Sequence, residues 1–383
     1  MTTVEPFVSP VQPEALDDLR RRVRATRWPD APEDAGWSMG TDLSYLQQLA
    51  DHWADGFDWW AQERTLDRVE RLQVRLGDLS VHVLRARADA SGPPLLLCHG
   101  WPDSSWRYSK VLALLADPGT HGGDPADAFT VVVPDMPGFG WSTIPSVPMD
   151  STQVAELWVQ LMDALGHDRF FVAGGDIGSA VARYLALEHP DRVVAVHRMD
   201  AGLAPPGATP TDLTDDERAW LADVAAWGAV EGAYAAVHRT KPQTAAFGLT
   251  DSPVGLAAWI LEKLRAWSDC GGDVESRFTR DEILHLATAY WLSGTIAASM
   301  RMYRANAAIP LDQHRRRVEV PSGFSLFPAD ILRPPRRWLE RTADVRSVTT
   351  PPRGGHFAPF EEPELYTSEL RSFFAPYRSG ISG

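Results

Sequence analysis

The sequence predicts an α/β protein with a mostly parallel, doubly wound sheet, a helical insertion and a helical opening segment. Three observations carry that expectation. Short apolar runs (PPLLLCHG, FTVVVPD, RFFVAGG and RVVAVHRM) are separated by helical stretches, the alternation expected when helices cover both faces of parallel strands. From about residue 205 to residue 309 the β signal vanishes, and it returns in SGFSLFPAD and ADVRSVTT. Residues 1–70 are rich in tryptophan and carry helical periodicity.

In chain order, PEALDDLRRRVRATRWPD places Leu16, Leu19 and Val23 on one helical face, with Trp28-Pro29 as the stop. DLSYLQQLADHWADGFDWW repeats the spacing with Leu46, Leu49 and Trp53. This opening segment, 1–70, is expected to wrap the outside of a larger body. LQVRLGDLSVHVLRAR alternates apolar and polar residues on both sides of Gly77-Asp78, the mark of a hairpin. The sheet core occupies 71–204. An insertion over 205–309 holds the helical TDDERAWLADVAAW, SPVGLAAWILEKLRAW and RDEILHLATAYWLSGTIAASMRMYRANA. It is expected to form a lid over the carboxyl ends of the strands, where such sheets bind ligands. Residues 310–383 return to the core and close with PELYTSELRSFFAPY, a helix.

Composition narrows the function. At 383 residues the chain can bury a full core. Its 44% hydrophobic and 23% charged residues describe an ordinary soluble globular protein. A balance of 51 acidic against 37 basic side chains gives a net charge of −14, which disfavours nucleic acid and anionic membranes as partners. No apolar run approaches the ~20 residues that span a bilayer, and MTTVEPFVSPVQPEAL lacks a signal-peptide layout. Cys98 and Cys270 imply no disulfide framework. The expectation is a cytoplasmic protein acting on a small molecule, with a homodimer left open.

The chemistry begins at VAGGDIGSA. There Gly174-Gly175-Asp176-Ile177-Gly178 fills the frame of the G-x-Ser-x-G nucleophile elbow, between strand-like RFFVAGG and helical SAVARYLALEHP. Gly174 and Gly178 would let strand and helix approach while residue 176 takes a strained conformation. The simpler reading makes Asp176 only an N-cap of that helix. HGWP, at 99–102, follows the strand PPLLLC, where this fold class places one oxyanion-hole N–H; the residue after the nucleophile supplies the other. The amides of Trp101 and Ile177 are therefore the expected pair, against the alternative of a mere Gly/Pro turn. His99 precedes the nucleophile, whereas the expected order is nucleophile, acid, histidine. GGHF puts His356 in the last place. Asp330, just past SGFSLF, is the expected acid. Asp200, after RVVAVHRM, is its rival, and Asp344 lies too near the start of its strand.

A carboxylate nucleophile suits displacement at an sp³ carbon, leaving an alkyl ester that histidine-activated water then hydrolyses at the aspartate's own carbonyl carbon. Epoxides and alkyl halides both fit. A departing alkoxide needs weak acids aimed from the lid; a departing halide commonly takes a tryptophan beside the nucleophile, where this chain has Ile177. The lid carries Tyr234, Tyr290 and Tyr303, each of which also reads as a packing aromatic. Trp101, Trp106, Trp141, Trp259 and Trp291, with Phe357, suggest an apolar pocket suited to an aryl group, although tryptophans also pack cores.

At these motifs the chain resembles the microsomal-type epoxide hydrolases, within the α/β-hydrolase fold, over nearly its whole length. The resemblance rests on Thr26-Arg27-Trp28-Pro29-Asp30, Phe57-Asp58-Trp59, the HGWP loop, the GGD turn, DSPVGLAAWILEK and GGHF. It implies an epoxide and water as substrates, a vicinal diol as product, and no metal or organic cofactor. Position by position it implies Asp176 as nucleophile, Asp330 as acid and His356 as base. Tyr234 in EGAY…TKP and Tyr303 in MYRAN become the pair that holds the oxirane oxygen; Tyr290 matches nothing and is left to the core. The chain departs from the family pattern in lacking the membrane anchor of mammalian members, which implies a soluble protein. It also carries aspartate at 330, where those members place glutamate, and Ile177 where many have tryptophan. A haloalkane dehalogenase and a non-catalytic ligand-binding homologue are the alternatives.

Overall fold

The four apolar runs become the middle of a single nine-stranded sheet. The structure, a computed structural model, describes residues 2–88, 92–200 and 210–381. Its strands are β1 (Thr3–Pro6), β2 (Glu70–Leu76), β3 (Leu79–Ala86), β4 (Pro94–Cys98), β5 (Thr130–Pro134), β6 (Phe170–Gly174), β7 (Val193–Arg198), β8 (Val318–Ser325) and β9 (Ala343–Thr349), ordered β1-β2-β3-β5-β4-β6-β7-β8-β9. β1, β2, β3 and β5 pair antiparallel in turn; every pairing from β5 to β9 is parallel. Every residue of β4 and β6 is buried, which is why those runs read as continuous apolar blocks. The β2–β3 hairpin turns at Gly77-Asp78, where Gly77 takes φ +61°.

The opening segment is helical except at its start, where β1 corrects the expectation. All four residues of β1 are exposed, so no alternation betrays it, and backbone pairing to the edge strand β2 is what makes it a strand. The helix Pro13–Arg24 buries Leu16, Leu19 and Val23, and it ends at Arg24, ahead of Trp28-Pro29. The helix Leu43–Asp55 buries Leu46, Leu49 and Trp53.

The segment docks on the insertion. Trp53 Nε1 donates to Thr288 Oγ1 at 2.9 Å, His52 Nε2 lies 2.7 Å from Asp281 Oδ1, and Thr41 Oγ1 donates to the Ala258 carbonyl at 2.8 Å. The insertion itself comprises the helices Asp215–Val230, Ala233–Thr240, Pro242–Asp251, Pro253–Trp267, Arg280–Ser293 and Ile296–Asn306. Its expected start at residue 205 lies outside the described residues. Among the described residues, no helix is long and apolar enough to cross a membrane.

Register brings the motif loops together. Cys98 pairs with Gly174 across β4 and β6, so the loops that follow, HGWP and GGD, emerge side by side. Arg198 pairs with Phe324 across β7 and β8. An isolated parallel bridge joins Ala329 to Gly355, setting Asp330 beside His356.

Candidate active site

The turn after β6 is tight for a steric reason. Asp176 takes φ 56° and ψ −130°, a conformation that costs a non-glycine residue about 1–3 kcal/mol. A Cβ on Gly178 would lie 2.0 Å from the Cys98 carbonyl oxygen, and one on Gly174 would lie 2.4 Å from the Gly178 carbonyl oxygen. Strand and helix can cross this closely only because both positions are glycine. Asp176 stands at the head of the helix Ile177–Glu188 but makes no side-chain capping bond, so the N-cap reading fails. Instead, Oδ1 accepts the Trp101 N–H at 2.8 Å. Ile177 opens the helix, where its N–H is a first-turn donor without an intrahelical acceptor.

The two rival acids separate cleanly. His356 Nδ1 lies 2.8 Å from Asp330 Oδ1, and His356 Nε2 lies 3.6 Å from Asp176 Oδ2. With Nδ1–H donating to a carboxylate, Nε2 is the nitrogen with the free lone pair. Burial opposes an imidazolium at His356, but the adjoining Asp330 carboxylate outweighs it, and the net shift is upward. Asp200 serves the elbow: its Oδ2 accepts the Asp176 N–H at 2.8 Å, and its carbonyl accepts Ser179 Oγ at 2.9 Å. Burial pushes the Asp200 carboxyl above the usual range, against the pull of Arg198. Asp344 lies in β9 and pairs with Arg346.

Several neighbours of this line escaped the sequence reading. Arg107 is fully buried and donates to both Asp103 and the His356 carbonyl, with its guanidinium 5.3 Å from the Phe357 ring. Glu361 cradles the GGHF loop: Oε1 accepts the Phe357 N–H at 2.9 Å, and Oε2 accepts those of Asp269 at 2.7 Å and Gly355 at 3.2 Å. Burial pushes the Glu361 carboxyl up to about 7, although those amides favour its ionised form. The Trp267 carbonyl accepts the His356 N–H at 2.8 Å. Opposite charges four residues apart beside HGWP were the available signal for Arg107; Glu361 and Trp267 belong to no motif. His99 Nε2 accepts the Met136 N–H at 3.0 Å and Nδ1 lies 2.9 Å from the Gly100 carbonyl, so this ring pins the loop.

Two lid tyrosines meet across the site. Tyr234 and Tyr303 have ring centroids 5.9 Å apart. Trp101 stacks on Tyr234 at 5.2 Å and 12° and meets Tyr303 edge-on at 6.0 Å. Burial raises both hydroxyls above the ordinary phenol range, so both hold their protons. Tyr290 Oη instead donates to the Asp103 carbonyl at 2.9 Å, in the core. Trp267 bridges the two halves, 5.1 Å from Tyr234 and 5.3 Å from His356.

The expected pocket aromatics lie in different surroundings, although Trp106 and Phe357 line one small cavity. Trp106 stacks on His285 at 4.3 Å and contacts Phe360. Trp141 packs near Phe7 and Trp59, and the Arg22 guanidinium covers Trp291. Tryptophan spacing reports burial, and burial is shared by core and pocket. Phe357 remains beside His356, at 5.1 Å. Trp259 stands one layer back, 6.0 Å from His238. Among the described residues, no cluster of His, Cys, Asp or Glu is arranged to hold a metal ion.

Comparison with known proteins finds relatives over nearly the whole chain. Residues 4–108 match a family model described as the epoxide hydrolase N terminus, and residues 93–247 match the alpha/beta hydrolase fold. Epoxide hydrolase 1 of Sus scrofa is 31% identical over 404 residues, covering 97% of this chain and 88% of that protein. The chain belongs to the microsomal-type epoxide hydrolase family. A provisionally named epoxide hydrolase of Stigmatella aurantiaca (strain DW4/3-1) is 38% identical over 98% of this chain and 86% of its own. The Aspergillus niger epoxide hydrolase structure superposes with a TM-score of 0.86 at 28% identity, covering 98% of this chain and 97% of that one. The juvenile hormone epoxide hydrolase of the silkworm Bombyx mori shares the fold, with a TM-score of 0.90 at 24% identity over 100% of this chain and 96% of that one. Members of the family hydrolyse epoxides through a covalent ester on an aspartate.

Proposed function

We propose that Asp176 is the nucleophile of this hydrolase, with His356 as base, Asp330 as its orienting acid, and Tyr234 and Tyr303 as the proton donors to the oxirane oxygen. The observation that carries this is the asymmetry of the Asp176 carboxylate: Oδ1 is held by the Trp101 amide, while Oδ2 faces His356 Nε2 at 3.6 Å. Oδ2 therefore attacks a ring carbon from the face opposite the breaking C–O bond. Electrons of that bond pass to the oxirane oxygen, which takes a proton from a tyrosine. Oδ1 becomes the ester carbonyl oxygen, already seated on an oxyanion donor.

In the second half His356 Nε2 removes a proton from water, whose oxygen attacks Asp176 Cγ. Negative charge builds on Oδ1 against the Trp101 and Ile177 amides, each such donor worth about 3 kcal/mol. The intermediate collapses with cleavage of the Cγ–Oδ2 bond; the leaving alkoxide takes the proton from His356. The diol thus departs with Oδ2, and the regenerated acid returns one proton to the tyrosinate through solvent. A substrate with an aryl group fits the same proposal, because Trp101, Trp267 and Phe357 supply ring faces near the reacting atoms. A cytoplasmic location accords with Cys98 and Cys270 both being free.

One turnover in ¹⁸O-water with enzyme in excess tests the assignment. Label is expected in the peptide containing Asp176 and absent from the first diol released. Label in that first diol means that water opened the ring directly.

A further inference from the structure

His238 lies among the reacting groups, yet no bond of the machinery above uses it. It is fully buried, and neither ring nitrogen has a hydrogen-bond partner. It stands one helical turn after Tyr234 on Ala233–Thr240, hence on the same face. Its ring centroid is 4.8 Å from Trp101, 5.4 Å from Tyr234 and 4.9 Å from Tyr303. The Tyr303 hydroxyl is likewise buried, with the Tyr234 hydroxyl as its polar neighbour. Buried polar atoms are almost always paired, so an imidazole facing both lid tyrosines with two idle nitrogens is shaped for something that enters the site.

We propose that His238 is a specificity-determining residue that hydrogen-bonds a hydroxyl carried by the substrate beside its oxirane, making 2,3-epoxy alcohols the preferred class. The proposal rests on the site assignment above. Burial, with Lys263 nearby, lowers the ring's pKa to about 3, so it is neutral and offers one donor and one acceptor. The ring stands T-shaped to Trp101 and Tyr303, at 82° and 77°, and an N–H aimed at either π face would be satisfied there. The lone-pair nitrogen still needs a donor. An ether or carbonyl oxygen cannot supply one; a hydroxyl can, and it answers either nitrogen.

The test compares 2,3-epoxy-3-phenylpropan-1-ol with 1-phenyl-1,2-epoxybutane, in which methyl replaces the hydroxyl. The ratio of their kcat/KM values is measured in the unaltered enzyme, His238→Leu and His238→Gln; comparing ratios cancels the intrinsic reactivity of the two rings. His238→Leu is expected to lower the ratio about ten-fold or more, and His238→Gln to retain most of it. Equal ratios in all three enzymes overturn the proposal. As a check needing no variant, 3-phenylpropane-1,2,3-triol should inhibit the unaltered enzyme at least about ten-fold more tightly than 1-phenylbutane-1,2-diol; equal or weaker inhibition also overturns it. Failure of the unaltered enzyme to open either epoxide would instead overturn the site assignment, and this proposal with it.

Discussion

At Asp176 the backbone conformation and the side chain's bonds serve one purpose. The strained φ lifts the carboxylate off the helix it heads, and the Trp101 and Asp200 contacts then fix its orientation. Two substitutions separate the half-reactions. His356→Gln is expected to accumulate the ester, seen as a mass increase of one epoxide on the intact protein; Asp176→Ala is expected to show no adduct. The pH profile follows from the sign of the His356 shift. The base must be neutral, and its imidazolium is favoured in the folded site. The kcat should therefore fall as pH drops through a value above the ~6.5 of free histidine. Asp330→Asn should move that limb downward and lower kcat by on the order of 10³–10⁴-fold. A profile whose acid limb does not respond to Asp330→Asn would remove Asp330 from its role. At this scale Asp176, Asp330 and His356 were legible, because each sits at a strand end in a fixed chain order. Arg107, Glu361 and His238 were not, because the contacts that bring them to the site, with the His356 carbonyl, the Asp269 amide and the Trp101 ring, join positions 249, 92 and 137 apart in the chain.

Among the elements, the turns between strands and helices carry the site, and their glycines divide into two kinds. A Cβ at Gly178 meets backbone, 2.0 Å from the Cys98 carbonyl oxygen, whereas a Cβ at Gly100 meets the Asp176 side chain at 2.4 Å. Gly178→Ala is therefore expected to cost about 1–3 kcal/mol of stability, read as a lowered melting midpoint. Gly100→Ala should retain more stability and lose activity, because the Asp176 carboxylate is the group displaced; a fully active Gly100→Ala would contradict this. Arg107 ties the short helical turn Ser105–Tyr108, after HGWP, to the GGHF loop through Asp103 and the His356 carbonyl. Replacing it with methionine leaves Asp103 buried and unpaired, for an expected loss of about 3–5 kcal/mol in chemical denaturation. Strands β4 to β7 could be read from the sequence because burial on both faces makes them almost continuously apolar. β1 could not be read, since an exposed four-residue edge strand exists only through its partner.

Over the whole molecule, the opening segment supports the lid that carries both tyrosines. Trp53, His52 and Thr41 each bond to a helix of the insertion. A chain truncated before residue 65 keeps every proposed reacting group yet should lose diol formation and melt earlier, by circular dichroism. Retained turnover in that truncation would show that the lid stands unaided. The order of motifs along the chain, the periodicity of its helices and the apolar strand runs determined the fold class and singled out the residues proposed as nucleophile, base and acid. These are local properties: each is set by a turn, a face or a neighbouring residue. Only the tertiary structure decided which aromatics surround the reacting atoms, that Asp200 braces the elbow rather than the histidine, and that a silent histidine faces the tyrosines. Those facts depend on which distant segments pack against one another, and burial of an aromatic or a charge looks the same in a sequence whichever partner it meets.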